Sequence, residues 1–291
     1  MIAPPCLLIA ALLAQPAPTN PVAETLIRDG IRSGEVAVTL PRPSLADGSD
    51  AATCRDLLRK VVGDERSVEN FLRDSVTAPF ILRTADVKAK DGILRAGDLW
   101  FAVRGDLDEV DLRQVLGKAE AATVEAGNMR FTTKQLPDAA AGRYPAERLA
   151  PQPGRDEWFT HASGRLLDRI GLEVTEHGVA TRTAESLTIA ATTSRAFDAD
   201  PDFPNRWSTI ARTAGKEASG PPRPYLGGGS YAKITRLASD PGVLLVEAHF
   251  AFFEPQDWFD GNPILRSKLS LICQDQVRHL RREIQNRRPK K

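Results

Sequence analysis

Glu247 and His249 stand two residues apart within the run Val243 to Phe253, and on an extended chain that spacing sends both side chains to the same face. A carboxylate beside an imidazole is the minimal equipment for general acid–base chemistry. With Glu254, Asp257 and Asp260 nearby it is also a candidate carboxylate–histidine metal site. The alternate positions Leu244, Val246, Ala248, Phe250 and Phe252 are all apolar, so the pair points away from that core surface. If the hairpin pairs Leu237 with Val243, Glu247 falls opposite Lys233 and His249 opposite Tyr231, an ordinary set of cross-strand partners. We adopt this structural reading and keep a hydrolase or metal-dependent enzyme using Glu247 and His249 as the alternative.

Other motifs point less firmly to chemistry. Gly227, Gly228 and Gly229 lead into a strand, whereas phosphate loops open a helix, so they read as a hinge or bulge. Ser163 and Gly164 after His161 lack the glycine spacing of a nucleophile elbow. No Cys/His spacing suggests zinc, and no motif calls for a cofactor. Trp258 and Phe259, joining the last strand to the last helix, together with Trp207, are the aromatic candidates for contact with a ligand. The competing role for the first two is a plug over the core or a staple ahead of the helix. Arg278 to Lys291 holds seven basic residues, a patch for weak contact with an anionic surface or else a solvated helix face.

The chain of 291 residues is 42% hydrophobic and 26% charged with a net charge of +1, so no global field favours nucleic acid or an anionic membrane. The apolar run Cys6 to Leu13, then Ala14 and the segment Gln15-Pro16-Ala17-Pro18, reads as a signal peptide over 1–14. The rest, 15–291, is expected to be one exported domain, periplasmic or secreted, with no transmembrane segment. An even count of two cysteines then remains, and Cys54 and Cys273 are either one disulfide or two buried thiols.

Residues 20–78 carry helical spacing: Asn20-Pro21 opens a first helix ending near Gly30 to Gly34, and stripes at Cys54 to Val62 and Val68 to Val76 give two more. Residues 79–253 are mainly strands. They comprise an irregular hairpin across Asp91-Gly92, strands at Met129 to Leu136, Leu166 to Thr175, Val179 to Thr183 and Leu187 to Thr193, and the pair Tyr231 to Leu237 and Val243 to Phe253. A turn at Glu176-His177-Gly178 separates two of these. Asp106 with Glu109 predicts a helix through Val115 and Leu116, while 137–157 and 197–229 show no period. An amphipathic helix closes the chain at 263–286, its stripe formed by Leu265, Leu269, Ile272, Val277, Leu280 and Ile284. The expected fold is α+β, a mostly antiparallel sheet with an N-terminal helical region and the long C-terminal helix packed on the sheet.

The phrases Gly229-Ser230-Tyr231-Ala232-Lys233-Ile234-Thr235, Val246-Glu247-Ala248-His249, Trp258-Phe259-Asp260-Gly261 and Asp202-Phe203-Pro204-Asn205-Arg206-Trp207 resemble a group of exported proteins of planctomycete bacteria to which no activity is assigned. That resemblance implies a shared fold and export only. In arrangement alone the chain is similar to START-like helix-grip proteins, which implies a sheet wrapped round the last helix with an apolar cavity between them. These readings together imply a non-catalytic exported envelope protein that binds an apolar small molecule or an envelope component.

Overall fold

Strand-forming residues dominate the middle of the chain, and they assemble into a single antiparallel sheet of 12 strands. The computed structural model describes residues 18–110, 122–126, 129–213, 216–262 and 264–286. The signal-peptide segment, the helix expected through Val115 and Leu116, and the last five residues of the basic tail lie outside the described residues.

The N-terminal region follows its caps. Asn20 accepts from the Ala23 amide at 3.1 Å to start α1 (Pro21–Arg28), and Asp50 and Asp64 cap α2 (Ala51–Val62) and α3 (Glu65–Phe71) in the same way. Ile31, expected to extend the first helical stripe, instead begins β1 (Ile31–Ser33), which pairs with β2 (Val36–Val38). Four residues of alternating burial around the Gly34 turn favour a hairpin over another helical turn.

The large sheet contains β3 (Ile81–Ala89), β4 (Gly92–Arg104), β5 (Ala122–Ala126), β6 (Met129–Gln135), β7 (Arg155–Leu166), β8 (Ile170–Arg182), β9 (Ser186–Thr193), β10 (Arg206–Thr213), β11 (Lys216–Ser219), β12 (Arg223–Pro224), β13 (Gly228–Leu237) and β14 (Asp240–Pro255). Its main order is β3-β4-β14-β13-β9-β8-β7-β6-β5. Ala89 pairs with Gly92, so the β3–β4 hairpin is a tight two-residue turn and not the irregular one expected. The expected turn at Glu176-His177-Gly178 is also corrected: β8 runs straight through it, paired to β7 on one side and to β9 on the other. The unperiodic segment 197–229 turns out to contain β10, β11 and β12, with β10 taking the part of the β8 edge that β9 does not reach. Where those two partners diverge, the Asn205 side chain accepts from the Thr175 amide at 2.8 Å and closes the gap in the ladder.

Both faces of the sheet are covered. On one face α1, α2 and α3 pack over Leu94, Trp100, Tyr231, Leu245 and Phe253. On the other, the C-terminal helix α5 (Ile264–Asn286) sets Leu269, Cys273, Val277 and Ile284 against Phe101, Val103, Leu244 and Val246. A third short helix, α4 (Asp138–Ala141), covers Phe159 near β7.

Helix α5 runs along β4, with Arg266 pairing with Asp86 at 3.3 Å near its start and Ile284 against Gly105 near its end. It nevertheless also touches β5 at the opposite edge of the sheet. In a flat sheet β4 and β5 would be about 34 Å apart at ~4.8 Å per strand, and a helix is only about 10 Å wide. The sheet therefore curls, and α5 lies in its concave side. Arg281, expected on the solvated side of this helix, is buried. It donates to the carbonyls of Ala102 and Pro79 at 3.0 Å each and also to Ala78, so part of the basic run ties α5 to the segment before β3. Burial pulls its guanidinium down to about 10.

Candidate functional site

Register places Glu247 and His249 as the hairpin pattern expects: Lys233 opposes Glu247 and Tyr231 opposes His249. The side chains share the convex face, but that face is not solvent. Residues 40–47 lie over it, leaving Glu247 3% and His249 1% exposed. The Ser44 amide and hydroxyl donate to the Glu247 carboxylate at 2.8 and 2.6 Å. Lys233 ignores its cross-strand carboxylate and bonds the Leu45 carbonyl and Asp47, each at 2.8 Å, while the Tyr231 hydroxyl donates to the Pro41 carbonyl. These buried polar groups pin a segment that has little secondary structure of its own.

The imidazole of His249 lies between two carboxylates, with Nδ1 2.6 Å from Asp98 and Nε2 3.0 Å from Glu247. Both nitrogens donate only in the imidazolium form. Burial works against that charge, but the hydrogen bonds to Asp98 and Glu247 outweigh it and raise the pKa of His249. Burial likewise pushes the Glu247 carboxyl up, and the bonds from His249 and Ser44 overcome it and hold the group below its ordinary range. An imidazolium with both protons engaged is neither a general base nor a metal ligand. Among the described residues no group of three or more His, Cys, Asp or Glu is disposed to hold a metal ion.

Trp207, Trp258 and Phe259, the aromatic ligand candidates, do come together, but as core. All three are buried in one cluster with Tyr225 and Leu265. Trp258 stacks on Tyr225 at 5.6 Å and meets Trp207 edge-on at 6.0 Å, plugging the end of the concave side where α5 begins. Cys54 on α2 and Cys273 on α5 are free, buried thiols on opposite faces of the sheet, so of the two readings the pair of buried thiols holds and the disulfide does not. Burial raises the Cys273 thiol to about 11, which keeps it protonated and inert.

A partly exposed stretch of the sheet lies elsewhere, on the concave face beside α5. One row across the sheet reads Trp158, Gly178, Ala191, Ser230, Phe250, Gly97. A Cβ at Gly178 would fall 2.1 Å from the Trp158 ring, and one at Gly97 would fall 2.2 Å from the Phe250 ring, so each indole or phenyl lies flat over its glycine. Between those two rings only the small Ala191 and Ser230 rise from the sheet. Ser230 is exposed, and Ala191, Ala232, Phe250 and Phe252 are half-buried. Since β13 is paired on both sides along this stretch, that exposure opens onto the concave face and not at a sheet edge. The result is an apolar trough walled by aromatic rings.

The next row along the trough is Thr160, Glu176, Thr193, Gly228, Phe252, Arg95. Arg95 is committed, to Glu254 and to Asp86 at 2.9 Å. Glu176 is not: half-buried and on the middle one of three paired strands, it has no hydrogen bond and no ion pair among the described residues. Burial alone raises its pKa. The Tyr225 hydroxyl is pushed up as well, first by burial and then by the Glu176 and Glu254 carboxylates, and its ring lies in the cluster against which Phe252 packs at this end of the trough.

Reading the sequence for turns concealed Glu176, because Glu-His-Gly resembles a loop. The available signal was the alternation Leu172, Val174, Glu176, Gly178, Ala180, a strand-like period with one carboxylate on its apolar face. No protein-family model matches this chain and no curated protein matches it significantly, so the site rests on its own geometry.

Proposed function

We propose that this protein is a non-catalytic, exported binding protein of the cell envelope that takes an apolar or amphiphilic small molecule into the concave trough beside α5. One observation carries the reading: the centre of a sheet whose two faces are otherwise covered keeps Ser230 exposed between the Trp158 and Phe250 rings. Large side chains there would have filled the space, and small ones leave an opening of the mostly apolar kind that ligand sites favour. The arrangement of a curled sheet gripping a terminal helix parallels START-like carriers and supports the same reading by analogy of fold. The enzymatic alternative loses its support with His249 held as an imidazolium under residues 40–47.

Export is supported by the apolar run Cys6 to Leu13 and by the resemblance to exported planctomycete proteins. No helix among the described residues is long and apolar enough to cross a membrane. The direct test is calorimetric titration of the full chain with dodecanol. Saturable binding that Ala191→Leu abolishes, with the melting temperature kept, supports the trough; binding undiminished in that variant, or none in the wild type, refutes it. Sequencing the amino terminus of the protein recovered from its host tests export, with loss of the first residues to about Ala14 expected.

A further inference from the structure

Burial that takes away part of a carboxylate's water and gives no partner in exchange is costly. Other buried carboxylates of the sheet avoid that cost: Glu247 has His249 and Ser44, and Glu254 has Arg95. Glu176 faces the trough and has neither a cation nor a donor. Its neighbours in the row, Thr160 and Thr193, are neutral; the Thr193 hydroxyl accepts from the Gly228 amide at 3.0 Å, and neither threonine bonds Glu176 among the described residues. Arg95 at the far end of the row has no free charge to offer, since it answers both Glu254 and Asp86.

We propose that Glu176 is the polar anchor of the trough and that the natural occupant is an amphiphile with a protonated amine, its ammonium on the Glu176 carboxylate and its apolar body between Trp158 and Phe250. This inference rests on the binding function proposed above and adds the chemical class of the ligand. Charge complementarity selects the head group, because the one uncompensated ionisable group along this row is an acid. The walls agree, since aromatic faces attract a cation and reject an anion. Tyr225 belongs to the cluster against which Phe252 of this row packs, and adds an aromatic wall at the same end.

The test titrates the full chain with dodecylamine, dodecanol and dodecanoate below their micelle concentrations, in the wild type and in Glu176→Gln. The wild type is expected to bind dodecylamine at least about tenfold more tightly than dodecanol, the size of effect a charge-assisted hydrogen bond supplies. Dodecanoate should bind weakest. Glu176→Gln should bring dodecylamine down to the level of dodecanol and leave dodecanol unchanged. Equal binding of amine and alcohol by the wild type overturns the anchor while leaving the trough intact, and needs no variant to fold. So does a Glu176→Gln protein that keeps the amine preference. Failure of all three probes to bind overturns the binding function itself.

Discussion

Two carboxylates, one buried and one half-buried, occupy opposite faces of one sheet, three strands apart. Glu247 on the convex face is locked by His249, Ser44 and, through His249, Asp98. Glu176 on the concave face meets no partner at all among the described residues. The first arrangement does what a buried ion pair does in many folds: it fixes one geometry, here the path of residues 40–47, and leaves nothing free to react. The second leaves electrostatic demand unmet, and that is the mark of a place where something else belongs. The residue types alone would rank these sites the other way round, since a Glu–His pair looks like machinery and a single Glu in a Glu-His-Gly run looks like a turn.

Removing the chain from Ile264 onward should have the largest effect, because the concave face loses the one long helix that covers it among the described residues. Burying four to six apolar side chains of α5 contributes on the order of 10 kcal/mol, comparable to the net stability of a whole domain. No cooperative melt is expected from that truncation, and a soluble, cooperatively melting product would show that the two faces are stable independently of each other.

His249→Ala comes next. It strands Glu247 and is expected to cost about 3–5 kcal/mol in chemical denaturation. The pH dependence gives a finer view of the same cluster. A raised His249 stabilises fully below its unfolded value of about 6.5, and that contribution is lost as pH rises through the folded value. Depressed Glu247 stabilises above the ordinary carboxylate range and loses its contribution as pH falls. In the variant both limbs of the profile should flatten; an unchanged profile breaks the assignment.

Glu176→Gln should move stability in the opposite direction, raising it by about 1–3 kcal/mol near neutral pH in the ligand-free protein. With a raised folded value, the wild-type carboxyl favours the folded state below about 4.3 and withdraws that support as pH rises through its folded titration. The glutamine variant should lack this decline. If both Glu176→Gln and His249→Ala destabilise alike, the contrast between the faces fails. The smallest effect is expected from the thiols: Cys54 and Cys273 should resist alkylation in the native protein, both should react after unfolding, and reductant should leave the melting temperature unchanged. A joined peptide in non-reducing mass mapping would contradict their placement on opposite faces.

Local chemistry made much of this molecule legible. Asn20 announces a helix start through its own side chain, and the hairpin reading gives Glu247 and His249 their cross-strand partners Lys233 and Tyr231, although Leu237 itself pairs with Asp240 across a bulge and not with Val243. The period of Leu265, Leu269, Val277 and Ile284 likewise yields a buried stripe on α5. These are properties of neighbours within a few residues of one another, which is why a single chain carries them. Two faces of β14 looked different, one core and one polar, because alternation distinguishes apolar from polar and says nothing of what covers the polar side. Only the fold brought residues 40–47 across that side and turned a surface pair into a buried one. The trough was equally out of reach. It depends on Trp158, Gly178, Ala191, Ser230, Phe250 and Gly97 standing in one row, six positions drawn from six strands whose order and curvature are set by long-range pairing. Composition and spacing therefore determined the elements and the class of the fold, and tertiary structure alone decided which carboxylate was satisfied and which was left facing open space.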